Sequence, residues 1–226
     1  MMTHAKTNFG AALFALALLA GPAGAQDKPA PQQNSGFLMD YSKLTPAPNN
    51  PNARRWINKD FDFKPYQQIL LDPVEVWVSP TSQYKGSSPD VLKRMSDSFT
   101  NAFKKALQPG YQLVDKPGPG VLRITLAITG VNLVKPGFKP QDILPVVFLF
   151  RAVSGADQAK SVVLTAEMRV VDPKDNVVAA AVATGTSDKT IAEKQDITWK
   201  DLESISDQWA KNLRNGLDTA RGVAAK

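Results

Sequence analysis

The chain has 226 residues, a net charge of +6, a single histidine and no cysteine. Without a thiol, disulfide frameworks, thiol nucleophiles and cysteine-ligated zinc or iron–sulfur sites are excluded. The lone imidazole, His4, sits in the first few residues, so a domain following a cleaved leader would also lack the usual neutral-pH base and any Ser-His-Asp triad.

Residues 1–25 combine a weakly basic start at Lys6, an apolar run from Phe9 to Ala20, a Gly21-Pro22 break and the small residues Ala23 and Ala25. This is the pattern of a secretory signal peptide cleaved near Ala25, which predicts a periplasmic or secreted product. No later apolar run approaches the roughly 20 residues of a membrane-spanning helix. Residues 26–52 are rich in Pro, Gln and Asn and read as an extended lead-in. One apolar island, Ser35 to Leu44, interrupts it, with Phe37, Leu38, Tyr41 and Leu44 spaced to dock on a preformed surface. Residues 53–226 are read as one domain.

Within that domain, Gln68 to Val78 reads as a strand that Pro73 confines to an edge or kinks at its start. Ser88-Pro89-Asp90 has the chemistry of a helix start, and Leu92, Met95, Phe99, Phe103 and Leu107 form a helical stripe that Pro109-Gly110 ends. Tyr111 to Val114 is a short strand. Gly120 to Val134 holds the longest period-two alternation. Leu122, Ile124, Leu126 and Ile128 lie on a face expected to be buried by helices, and Arg123, Thr125, Ala127 and Thr129 on a face free to meet water. Ser161 to Val171 and Val177 to Thr186 form a hairpin around Asp172–Asn176. A last helix starts near Thr198, with Asp201 completing a capping-box-like signal and Leu202, Ile205, Trp209, Leu213 and Leu217 as its stripe. The fold class is thus α+β, a mainly antiparallel sheet of about five strands with two amphipathic helices packed on one face.

The run Ser35-Gly36-Phe37-Leu38-x-Asp40-Tyr41-Ser42-x-Leu44, followed by Trp56, Tyr66 and Leu71-Asp72-Pro73-Val74-Glu75-Val76-Trp77, resembles the bacterial family known as domain of unknown function 3313. The resemblance implies a cell-envelope protein, often a lipoprotein, with no established activity. The chain departs from the lipoprotein form at the Gln26 junction, where a lipidated cysteine would be needed.

Three groups are candidates for binding. Arg54, Arg55 and Trp56 could offer a cation and a stacking surface to an anionic or sugar ligand, or pin the lead-in to the domain. Phe37, Asp40 and Tyr41 could hold a ligand, or could form an aromatic anchor beside a capped turn. The apolar run Ile143 to Phe150, with Phe148 and Phe150, lies in a long connection and suits either a partner or lipid contact or core packing. Catalysis would need paired carboxylates, for which Asp60/Asp62 and Asp72/Glu75 are the nearest sets. Asp60 and Asp62 sit in a short lead-in and not at the floor of a cleft, and no enzyme activity, metal or cofactor is expected. The scattered Lys and Arg residues argue against nucleic acid. The expected partners are an envelope protein, a lipid surface or further copies of the chain. A carrier of a small apolar or acyl ligand, held between helices and sheet, is the alternative.

Overall fold

The computed structural model describes residues 34–48, 50–77, 89–134, 160–191 and 198–223. The expected signal peptide with its cleavage point, Ser88, and Phe148 and Phe150 lie outside the described residues. The elements in chain order are β1 (Thr45–Ala47), β2 (Asn50–Ile57), β3 (Gln68–Leu71), β4 (Glu75–Val76), α1 (Pro89–Leu107), β5 (Gln112–Leu113), β6 (Val121–Val134), β7 (Lys160–Val171), β8 (Val177–Ile191) and α2 (Glu203–Ala220). Strand order across the sheet is β1-β2-β8-β7-β6-β3-β5, with β4 also paired to β6.

The sheet is mixed and has eight strands, which corrects the expectation of about five mainly antiparallel ones. Two strands come from the Pro-rich lead-in: β1 pairs with β2, and β2 adds antiparallel to β8 from Ala53↔Ala183 to Ile57↔Ala179. β2 therefore straddles position 52, where the lead-in was expected to end. The parallel pairs arise from the connection through α1, because a helical crossover returns the chain in its original direction. By this route β3 and β4 both pair parallel with β6. The long antiparallel run β6–β7–β8 matches the alternation seen in the sequence.

The single strand expected over 68–78 breaks at Asp72-Pro73-Val74, where proline removes a ladder donor. The break is satisfied from α1: the Val74 N–H donates to Thr100 Oγ1 at 2.8 Å, and Ser96 Oγ donates to the Val74 carbonyl. The Thr198 signal is also used differently from the expectation. Thr198 N and Oγ1 both donate to Asp201 Oδ2, at 2.8 and 2.7 Å, closing the short 3-10 turn Trp199–Asp201. α2 itself begins at Glu203 after Leu202, which makes no side-chain cap.

The helix stripes meet the β6 face assigned to them. Met95, Phe99, Phe103 and Leu107 of α1 and Trp209, Leu213 and Leu217 of α2 are buried in one core with Leu122, Ile124, Leu126 and Ile128. The other face of β6 departs from expectation: Thr125, Ala127 and Thr129 are buried as well, and Arg123 stays exposed. Ala127 packs in a second core with Phe37, Leu38, Leu44 and Ala180. α2 approaches β8 closely at Gly185, where an added Cβ would lie 2.7 Å from Ile205 Cγ2 and 3.2 Å from Trp209 Cζ2. Gly185→Ala should therefore lower the unfolding free energy by about 1–3 kcal/mol through overpacking, as read by urea denaturation.

The end of α2 is tied down by a polar cluster. Tyr111 Oη donates to Asp218 Oδ1 at 2.9 Å, and Arg214 Nε donates to Asp218 Oδ2 at 2.7 Å. Burial, together with donation to Asp218, pushes the Tyr111 phenol up to about 12. A phenol raised in the folded state contributes stability that is fully present below its ordinary value near 10 and is lost as pH rises through about 12. Between those values the wild-type protein should lose more stability than Tyr111→Phe, as measured by denaturant midpoints across the alkaline range.

Candidate functional site

The face of the sheet opposite the helices is closed by residues 35–44. Tyr41 organises this cover: its hydroxyl donates to Glu167 Oε2 at 2.6 Å and accepts the N–H groups of Gly36 and Leu38, each at 3.1 Å. Glu167, on β7, is only 4% exposed. Burial and donation to Glu167 both push the Tyr41 phenol up. Phe37 meets Trp77 edge-on with ring centroids 5.6 Å apart and lies under the Arg169 guanidinium. Trp77 Nε1 donates to the Ser35 carbonyl at 3.2 Å. Gly36 has φ +87°, a conformation costly for a residue with a Cβ.

Asp40, in the same segment, is turned to solvent. Its Oδ1 accepts the Ser42 hydroxyl at 2.6 Å and the Ser42 N–H at 2.8 Å, bonds that hold its carboxyl below the usual range. Phe37 and Tyr41 thus act as anchors, and Asp40 as the cap of a turn. Tyr41→Phe should cost about 1–3 kcal/mol by stranding Glu167 and speed proteolysis within residues 34–48. Asp40→Ala should leave the urea-denaturation midpoint close to that of the wild type.

Strand alternation separates Arg54, Arg55 and Trp56. Trp56 packs with the second core beneath Lys43, whose Nζ is 4.7 Å from the ring centroid, and Arg54 shares that face. Arg55 lies on the helix-facing side with Ala53 and Ile57, and is exposed. Asp72, the best placed of the candidate catalytic acids, accepts Arg123 Nε at 2.8 Å and Thr125 Oγ1 at 2.9 Å. Asp62 accepts the Lys64 N–H. Among the described residues no three His, Cys, Asp or Glu side chains come together as a metal would need.

A concave feature among the described residues lies on the helix side, beyond α2. Seven strands along the main path span about 29 Å at a spacing near 4.8 Å, and two helices cover only about 20 Å. α2 packs against β8 at Gly185, and the open space lies beside it, over the Ala179–Ala183 stretch of β8 and over β2. The result is a groove of about 690 Å³. Its floor is small and apolar, with Ala181 and Ala183 of β8, Ala53 and Ile57 of β2 and Met168 of β7. Its α2 wall exposes neutral amides, of which Gln208 Nε2 donates to Asn212 Oδ1 at 2.9 Å. Gly216 also lines it, and a Cβ there would meet nothing within 4 Å. A glycine inside a helix costs about 1 kcal/mol relative to alanine, so this open wall is held against helix propensity. Among the described binding candidates singled out from sequence, Arg55 lies on the groove side of β2, and the α2 stripe residues Trp209, Leu213 and Leu217 also line the groove. The alternate alanines in Val177–Ile191 were the signal for the remainder.

Among the described residues, a mixed sheet with two helices on one face, an N-terminal strap on the other and a groove beside α2 defines an α+β protein. Residues 33–213 match the family described as Protein of unknown function (DUF3313), and the chain belongs to that family. It is 31% identical over 152 residues to the "Uncharacterized lipoprotein YdcL" of Escherichia coli K12, a match covering 66% of this chain. The chain spans 65% of the length of that relative. Among solved structures it is similar to a DUF4136 family protein from Bacteroides thetaiotaomicron, at 11% identity and TM-score 0.39, covering 79% of this chain and 97% of that one. It is also similar to the PelC dodecamer of Paraburkholderia phytofirmans, at 11% identity and TM-score 0.34, covering 76% and 97%.

Proposed function

We propose that this chain is an exported, non-enzymatic protein of the bacterial cell envelope that works by binding, with the groove beside α2 as its working surface. The groove itself is the observation that carries the reading: its size falls within the roughly 300–1,000 Å³ of small-ligand sites, and its lining is mostly apolar with a few polar groups at the edge. Export is supported by the leader-like pattern of residues 1–25 and by the lipoprotein name of the E. coli relative. The non-enzymatic reading is supported by the use of Asp72 and Asp62 in structural bonds.

A ligand carrier is favoured over a protein-docking module by the character of the surface. Among the described residues the large exposed apolar side chains are Met39, Val177 and Val223, at separate points of the chain. The edge strand β1 carries Pro46 and is followed by Pro48, which weakens it as a template for strand addition. Expressed with residues 1–25 in place, the protein should be released by osmotic shock. Once purified, it should bind the neutral apolar probe N-phenyl-1-naphthylamine saturably. Ala181→Leu should abolish that binding while leaving the melting temperature near wild type. Equal probe binding by wild type and a folded Ala181→Leu variant would remove the groove from the account.

A further inference from the structure

Resting on the groove as the binding surface, we infer that its ligand is a single-chain amphiphile with a carboxylate head, a long-chain fatty acid, whose head is taken by Arg55. Three independent features of the groove select this class.

The first is length. Ala179 to Ala183 runs about 13 Å along β8, and Gln208 to Ala220 about 18 Å along α2. One acyl chain, half of a hydrocarbon core about 30 Å thick, is about 15 Å long. The second is cross-section. The margin left open among the described residues is about 9 Å wide before side chains narrow it, and its floor is paved with alanine methyls and walled at Gly216 by bare backbone. That admits a single extended hydrocarbon chain and leaves no width for a paired one. Adding a Cβ at Gly216 would fill free space and favour the helix, so the glycine is accounted for by what the groove accepts.

The third is charge. The ionisable residues lining the groove are Arg54, Arg55 and Glu167. Glu167 points its carboxylate to the opposite face, where it accepts the Tyr41 hydroxyl. Arg54 also lies on that face. This leaves the Arg55 guanidinium as the ionic group on the groove side, exposed, and without an acidic partner among the described residues. The neighbouring amides Gln208 and Asn212 are neutral and bonded to each other. A guanidinium at the edge of an apolar channel fits a carboxylate in forked geometry, and it matches neither a cationic nor a wholly apolar molecule as well.

The test is titration calorimetry of the full folded chain with laurate and myristate at monomeric concentrations, against the uncharged monomyristin. Myristate should saturate a single site and bind more tightly than laurate by roughly fourfold per added methylene. Arg55→Gln should weaken myristate by about tenfold and leave monomyristin unchanged. Gly216→Ala, which favours the helix, should weaken both, and provides a groove-narrowing variant should Ala181→Leu fail to fold. Equal binding of myristate and monomyristin, unaltered by Arg55→Gln, would overturn the carboxylate assignment and leave the groove reading standing. Binding to phosphatidylglycerol vesicles with none to monomeric myristate would overturn the fatty-acid assignment in favour of a membrane surface. Absence of binding to all of these and to the neutral probe would overturn both readings.

Discussion

β6 is buried on both faces, and that double burial governs the rest of the molecule. Leu122, Ile124, Leu126 and Ile128 need an apolar cover on one side, which α1 and α2 supply with their stripes. Thr125, Ala127 and Thr129 are covered on the other, where the segment 35–44 brings Phe37, Leu38 and Leu44 against the sheet. A sheet with one wet face needs only helices; this one also needs a strap from the N-terminal side. Hydrogen bonding makes that strap specific. The Tyr41 hydroxyl gathers two backbone N–H groups and donates its proton to the carboxylate of buried Glu167.

The same geometry produces the groove. The strap leads directly into β1 and β2, which widen the sheet past β8 on a side where the described residues place no third helix. The two covers therefore have unequal reach. β7 connects them: Glu167 faces the strap, and its neighbour Met168 lines the groove. The backbone between them is held by antiparallel ladders on both sides, to Ala127 of β6 and to Val182 of β8. The floor is thus fixed by strand pairing before any ligand arrives, and pre-formed apolar sites of this kind lose little ordering entropy on binding.

The sequence made the strong periodicities legible. The stripe from Met95 to Leu107, the alternation of β6 and the β7–β8 hairpin each report a local repeat, and the structure places them accordingly. The anchoring role of Phe37 and Tyr41 was also visible as one of two readings, as apolar side chains in a polar lead-in. Glu167 as the partner of Tyr41 was not visible, because the two lie 126 positions apart and nothing in β7 distinguishes Glu167 from a solvated strand glutamate. Thr125, Ala127 and Thr129 are small enough to suit water or a covering aromatic equally, so the second buried face left no local mark. β1 and β2 were hidden by prolines at 46, 48 and 51, since proline argues against strand and is tolerated at an edge. The groove arises from a mismatch between the width of a sheet and the width of two helices, a quantity that belongs to the assembled layers and to no single segment.

The family has no assigned activity, so the proposed function rests on the strip of alanines beside Arg55, which has no acidic partner among the described residues. The most direct measurement of that claim is amide chemical-shift mapping of the isotope-labelled chain as myristate is added. The account predicts shifts concentrated in Ala53–Ile57, Ala179–Ala183 and Gln208–Ala220, with the strap around Phe37–Leu44 little changed. Shifts centred on the strap, or spread evenly over the surface, would contradict it.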